Sequence, residues 1–340
     1  MKLDVLVKDL RFAAGVLRKR PFNCLVQVTN RCNLRCSFCD FWPNPAPPRD
    51  ELTVAEYRDL AAQMAELGCF LVSIEGGEPF LRQDLPDIVR AFSAAHIPAL
   101  FTSGWYVTPD NARALWDAGL VHVSVSIDFA RPEDHDAKRG RPGTTERAWR
   151  AVEILRDTAP RGGHQVNVMS VLMDSNWRDM EALFQASARC GVGHQVTLLS
   201  TNGTRRGRGG DALPPPRMSE HMTSLFDRYR HVRFFRDYFE RLDAFLGGGP
   251  MPTCRAGLQS FNVDHVGNVA SCIERIGQPI GNLRQDRLAT LHRRLASAAE
   301  QAEVSRCQQC WTACRGFQQA IGGRGTVRNW RDMVLRTRSG

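Results

Sequence analysis

Between residues 22 and 201 the apolar positions follow two rhythms in turn. Short runs rich in β-branched and aromatic residues read as strands: "FNCLVQVTN", "FLVSIEGG", "PALFTSG", "HVSVSID", "HQVNVMSVLM" and "HQVTLLST". Between them "TVAEYRDLAAQMAELG", "LPDIVRAFSAAH", "DNARALWDAG", "TTERAWRAVEILRDT" and "WRDMEALFQASARCG" read as helices, with apolar residues at helical spacing. Thr53 and Asp110 stand where N-caps are expected, and Gly68, Gly119 and Gly191 stand at C-terminal stops. Six strand–helix repeats in this order predict a parallel sheet with helices outside it.

The alternation inside the strands refines that prediction. Val121, Val123, Val125 and Ile127 share one parity, as do Cys24, Val26 and Val28. The other parity carries Ser124, Ser126 and Asp128, then Gln27 and Thr29, Gln165 and Asn167, Gln195 and Thr197. Successive strand side chains point to opposite faces, so one face packs on helices and the other is polar. A closed eight-stranded barrel fills its interior with branched apolar layers. A polar inner face on six strands predicts instead an open, partial (βα)6 TIM-like barrel with a wet lumen, and places Cys24 in the helix-packed core.

Outside the repeats the text changes. Residues 1–21 form a basic amphipathic helix candidate, which plugs the barrel bottom or touches a membrane or lipid. "NGTRRGRGGDALPPP" is a long loop in which Arg205, Arg206 and Arg208 are candidates to clamp a carboxylate or phosphate. A helical stretch at 217–250 ends in "GGGP". Residues 251–340 begin with a hairpin-like "SFNVDHVGNVASC", turning at Gly267, and continue through a helix around 285–303 into "CQQCWTAC". The expected divisions are therefore 1–21, 22–216, 217–250 and 251–340.

Composition adds address and chemistry. With 43% hydrophobic and 24% charged residues the chain is ordinary for a globular enzyme. No apolar run has the length of a membrane span, and the N-terminus lacks the uninterrupted apolar core of a secretory signal. A cytoplasmic protein is expected, with no membrane partner. The net charge of +9 comes from dispersed arginines without interleaved stacking aromatics, so no nucleic-acid partner is expected. In a reducing compartment, clustered cysteines point to metal ligands rather than disulfides. Of eleven cysteines, three lie in "CNLRCSFC" as Cys32, Cys36 and Cys39, and five fall between Cys254 and Cys314.

Three local thiols leave a zinc site one ligand short. On an iron–sulfur cubane they leave one iron without a protein ligand. At this point the sequence resembles the radical S-adenosylmethionine (radical SAM) enzymes. "CNLRCSFC", after strand one, matches their C-x3-C-x2-C signature, with Phe38 just before the last cysteine. Gly76, Gly77, Glu78 and Pro79, as "GGEP", resemble the motif that receives the methionine amino group. Ser126 resembles a residue contacting the ribose and carboxylate, and Arg139 one near the methionyl carboxylate. The resemblance implies a [4Fe-4S] cluster on Cys32, Cys36 and Cys39, S-adenosyl-L-methionine chelated at its vacant iron, and an external one-electron donor of flavodoxin or ferredoxin type. It further implies reductive cleavage to a 5′-deoxyadenosyl radical that abstracts hydrogen. Cluster and cosubstrate supply the difficult chemistry while the protein orients and shields.

The later cysteines, Cys254-x12-Gly267-x4-Cys272 and then Cys307, Cys310 and Cys314, resemble the SPASM/Twitch extension of that superfamily. Five thiols cannot ligate two complete four-thiolate clusters, so one auxiliary [4Fe-4S] cluster is expected, Twitch-like. Cys254, Cys272, Cys307 and Cys310 make one closed set, and Cys314 can replace Cys307 or Cys310. A four-thiolate zinc site uses the same residues.

Three readings of the activity compete. The first is hydrogen abstraction from a polar small molecule, leading to dehydrogenation or epimerisation, with Tyr106, Cys190 and Cys314 as candidate hydrogen donors. The second is modification of a ribosomally made peptide. The polar lumen and the 21 residues before strand one place the small molecule first as expected partner. The third is a non-enzymatic electron carrier or zinc module.

Overall fold

The computed structural model describes residues 3–203, 210–322 and Asn329. Six strands, β1 (Asn23–Thr29), β2 (Leu71–Gly76), β3 (Ile97–Thr102), β4 (His122–Ser126), β5 (Gln165–Leu172) and β6 (Gly193–Leu198), pair in parallel in chain order. Helices separate them: α1 (Leu3–Leu17) before β1, then α2 (Val54–Leu67), α3 (Leu85–Ser93), α4 (Pro109–Asp117), α5 (Pro132–Arg139), α6 (Thr144–Thr158) and α7 (Met180–Arg189). The architecture is the open partial barrel that the strand parity predicts.

The outward parity is built as expected. Cys24, Val26, Val28, Val72, Ile74, Val123, Val125 and Val168 are fully buried beneath the helices. Against them stand Tyr57, Leu60 and Met64 of α2, Ile88 and Phe92 of α3, and Val152 and Leu155 of α6. The inward face is more mixed than the prediction. His122, Ser124, Ser126, Gln165, Gln195 and Thr197 line the lumen with Asn23, Ser73 and Glu75, but Leu25, Leu71, Ala99, Phe101, Met169 and Val171 line it too. Apolar residues interrupt the polar alternation on β1, β2, β3 and β5.

Thr53 caps α2 in a reciprocal box with Glu56, as expected. At α4 the cap is Thr108, paired with Asn111, and Asp110 lies in the first turn. Pro109 explains the shift: it occupies the first helical position, where a missing N–H costs nothing, so the cap must precede it.

After β6 come α8 (Met218–Arg228), α9 (Arg236–Glu240) and α10 (Leu242–Leu246), then β7 (Ser260–Val263), β8 (Asn268–Ala270) and β9 (Gly281–Asn282). The hairpin turns at Gly267, with φ +91°. Its first strand pairs in parallel with β1, so one nine-stranded sheet runs β6-β5-β4-β3-β2-β1-β7-β8-β9. The extension thus covers the edge that β1 would otherwise leave open. The helix expected around 285–303 is two, α11 (Leu288–Leu295) and α12 (Ala298–Arg306), because Ser297 caps a fresh start by accepting from the Glu300 N–H. A last helix, α13 (Ala313–Gly322), follows the final cysteine run. Helix α1 sets Phe12 edge-on against Phe22 just ahead of β1, as a plug at that end of the barrel would. Among the described residues no helix is long and apolar enough to cross a membrane. Arg205, Arg206 and Arg208 lie outside the described residues.

Candidate active site

The loop of Cys32, Cys36 and Cys39 leaves the C-terminal end of β1 and is fixed from three sides. From β2, Gly77 N donates to Thr29 O (2.7 Å) and Glu78 N to Arg31 O (2.8 Å). Helix α5 supplies the acceptors for Arg35 N (Arg139 O, 3.0 Å) and Ser37 N (Lys138 O, 3.2 Å). Below the loop Glu51, 2% exposed, accepts from both Arg31 (3.0 Å) and Arg82 (3.3 Å). The approach is so close that a Cβ on Gly77 would stand 2.0 Å from Arg31 O, and one on Gly76 2.2 Å from Thr29 O. Both positions need glycine for space.

Within the loop the three thiols sit in an apolar cup made by Leu34, Phe38, Phe129, Met173 and Leu199. Burial pushes the Cys32 thiol up to about 12 and the Cys36 thiol up to about 11, with Arg139 pulling the latter down in part. Such thiols become thiolates only against a strong local positive charge, which bound iron supplies. Among the described residues no three His, Cys, Asp or Glu side chains converge to hold one metal ion. Three thiols suit a cubane, in which each thiolate binds its own iron, better than a single zinc, which takes four ligands.

The remaining candidates fall as follows. Arg139 is not a surface residue. It is buried, pairs with the fully buried Asp128 (2.6 Å), and lies 3.9 Å from Cys36 Sγ and over the Phe38 ring. Ser126 faces the lumen. Glu78 departs from expectation. Its carboxylate, whose pKa burial raises, accepts from Thr102 Oγ1 (2.8 Å), Ser103 N (2.8 Å), Ser103 Oγ (2.5 Å) and Phe80 N (3.1 Å). Those four donors leave it stitching β2 to β3, while Gly76 and Gly77 face the cavity in its place. Tyr106 is not among the residues lining this cavity, and its loop is tied back by Asn111 donating to its carbonyl (2.8 Å). Cys190 caps α7, away from the lumen.

The five later cysteines gather beside the open side of the barrel. Cys272 lies within electrostatic reach of Cys310 and Cys314, and Cys254 within reach of Cys307; Cys310 senses Cys254 and Cys314. Cys314 is no outlier: it is half-buried, contacts Thr312 Oγ1 (3.0 Å), and senses Glu75 of β2 as well as Glu274. Burial pushes Cys310 up to about 12. A cavity of about 450 Å3 runs from Cys32, Cys36 and Cys39 through the lumen to Ile273, Glu274 and Cys314.

Glu51 and Asp128, which hold the loop and its arginine, escape sequence reasoning because their partners are remote or unpatterned. A third feature was equally hidden. Trp105 is sandwiched between the guanidinium groups of Arg141 (3.6 Å) and Arg147 (4.5 Å) at the loop's rim.

An open parallel barrel with three cysteines at the mouth of its first strand, and a cysteine-rich extension on the same sheet, defines an iron–sulfur barrel protein of the cosubstrate-binding kind. The radical SAM superfamily model matches residues 26–186. Those residues form a radical SAM domain, and the relatives that the chain resembles include SPASM-type maturases; that family uses a [4Fe-4S] cluster with S-adenosylmethionine, and its SPASM members carry auxiliary clusters. It is 31% identical over 191 residues to an AdoMet-dependent heme synthase of Methanosarcina barkeri, covering 56% of this chain and 53% of that one. The match therefore spans about half the length of that relative. It is 29% identical over 335 residues to the PqqA peptide cyclase of Xanthomonas campestris pv. campestris, covering 89% and 84%. Its fold is similar to Streptococcus suis SuiB bound to precursor peptide SuiA, with TM-score 0.61 and 14% identity over 89% of this chain and 71% of that one. The expectation of a small-molecule partner is overturned here, since a relative aligned over most of both chains is named for a peptide substrate. The lumen that suggested a small metabolite is, moreover, lined by apolar as well as polar residues.

Proposed function

We propose that this chain is a radical SAM enzyme that modifies a peptide. The observation that carries the reading is the single cavity lined at one end by Cys32, Cys36 and Cys39 and at the other by Cys314. A site of that form brings an S-adenosylmethionine cluster, the substrate carbon and an electron-transferring second cluster into one enclosed space. Cys32, Cys36 and Cys39 would hold the first cluster. Cys254, Cys272, Cys310 and Cys314 are the set we favour for the second, since Cys314 lies among them rather than apart. When bound there, the first cluster and S-adenosylmethionine would supply radical, hydrogen-abstracting chemistry.

The chain's own residues prepare that step. Arg139, held by Asp128, presents a fixed cation beside Cys36 for the methionyl carboxylate. The narrow Gly76–Gly77 turn opens backbone to the methionine amino group, and Glu78 holds the turn in shape. Phe38, Leu34 and Phe129 keep water from the cysteines. Ser126 lies on the lumen wall for the ribose. A 450 Å3 space admits a few side chains, not a folded partner, so a peptide would offer its reacting residue from the open side. Alignment with a peptide cyclase over most of both chains favours this occupant.

The test is anaerobic turnover with S-adenosylmethionine, a strong reductant and synthetic peptides encoded by short reading frames beside the gene. Peptide-dependent 5′-deoxyadenosine together with a changed peptide mass is expected. No cleavage by fully iron-loaded protein would overturn the enzyme reading, and cleavage that ignores every peptide would overturn the peptide reading.

A further inference from the structure

The end of the lumen away from the cysteine loop holds a cation with no counter-charge among the described residues. Arg233 follows Val232, which bridges to His194, and Arg233 N donates to His194 O (2.7 Å) near the start of β6. Its side chain turns inward over Gly193. A Cβ there would stand 2.6 Å from Arg233 Nε and 2.2 Å from Asn167 Oδ1, so this glycine makes room for both groups. Arg233 Nε and Nη1 are buried and have no hydrogen-bond partner among the described residues. Asn167 of β5 is fully buried, and both atoms of its amide lack partners. His122 of β4 and Gln165 of β5 line the same end. Burial and the Arg233 charge push the His122 imidazole down to about 4, so it stays neutral at pH 7. Burial also lowers the Arg233 pKa, and no acid among the described residues offsets it.

A half-buried guanidinium with Nε and Nη1 buried and without partners among the described residues is unfavourable unless something completes it. We propose that Arg233, with Asn167, Gln165 and His122 around it, is an anion-recognition point in the lumen that takes a carboxylate of the substrate. A single facing cation matches a monoanion. The planar fork of arginine offers a carboxylate two parallel N–H donors, and Asn167 Nδ2 can supply a third. Resting on the peptide reading, the site gives that substrate a polarity. An acidic group, either the C-terminal carboxylate or an Asp or Glu side chain, is seated deep, and the reacting carbon is held above it towards Cys32, Cys36 and Cys39.

The first measurement is thermal stability of iron-loaded protein titrated with sodium acetate, against acetamide, at constant ionic strength. Acetate should raise the Tm of wild type and acetamide should not. Arg233→Met should melt at or above the wild-type Tm without acetate, because an unpaired buried charge has gone, and should no longer respond to acetate. Arg233→Lys, which keeps charge without the fork, should respond weakly. An Arg233→Met protein that melts below wild type or fails to fold, or one that acetate stabilises as much as wild type, would overturn the proposal. With a peptide that supports turnover, Arg233→Met should raise KM at least tenfold with kcat within twofold. Amidating the C-terminus should reproduce this if the terminal carboxylate is bound, and an internal Asp→Asn or Glu→Gln change if a side chain is; a peptide indifferent to all these changes counts against the site. An Arg233-dependent acetate response with no active peptide would uphold the anion site and remove the peptide reading.

Discussion

The pair of Arg139 and Asp128 offers the sharpest test of how the site is built. The two side chains are 9% and 0% exposed and meet at 2.6 Å. Arg139→Met leaves the Asp128 carboxylate buried with one remaining donor, Val171 N (2.8 Å). Breaking a buried pair from one side costs about 3–5 kcal/mol, whereas replacing both partners is far cheaper. At roughly 2.1 cal/mol/K per residue, a chain of 340 residues unfolds with an entropy of about 0.7 kcal/mol/K, so the single variant should lose about 4–7 °C. Asp128→Asn should cost a similar amount by stranding the guanidinium. The double variant should melt at least about 3 °C above the sum of the two losses, a coupling of roughly 2 kcal/mol. Thermal scans of the iron-loaded proteins measure this. Cofactor binding should not follow the same pattern. Both proteins lacking Arg139 should lose S-adenosylmethionine affinity, including the double variant whose stability recovers. Additive melting losses, or a double variant that binds as wild type, would refute the buried pair as the device that presents a cation beside Cys36.

Four further outcomes follow from the geometry. Replacing Cys32 with Ala should remove about four of roughly eight irons and abolish 5′-deoxyadenosine formation. Cys310→Ala should remove a similar number of irons yet leave uncoupled cleavage detectable, as iron analysis and chromatography would show. Gly77→Ala drives a methyl group into Arg31 O, so iron uptake by the cysteine loop should fall sharply, with a stability loss of about 1–3 kcal/mol. Thr53→Ala removes one half of the α2 capping box and should cost about 1 kcal/mol while leaving iron content unchanged.

Much of this molecule was written locally. The period-two runs specified six strands, and "CNLRCSFC" after β1 specified the chemistry, because ligand spacing in one loop is a property of adjacent residues. The Thr53 cap and the Gly267 turn were legible for the same reason. Other features needed the folded chain. That β7 extends the barrel sheet from β1 depends on pairing across more than two hundred residues. That Glu78 serves its neighbours rather than the cavity depends on Thr102 and Ser103 arriving from β3. The five later cysteines were countable in sequence, but only the fold set Cys314 at the lumen wall. The apolar residues on the lumen wall, and Arg233 with no ion pair among the described residues, were equally invisible. Whether a side chain is spent on the protein or left for a ligand is decided by what surrounds it in space, and that is a long-range property.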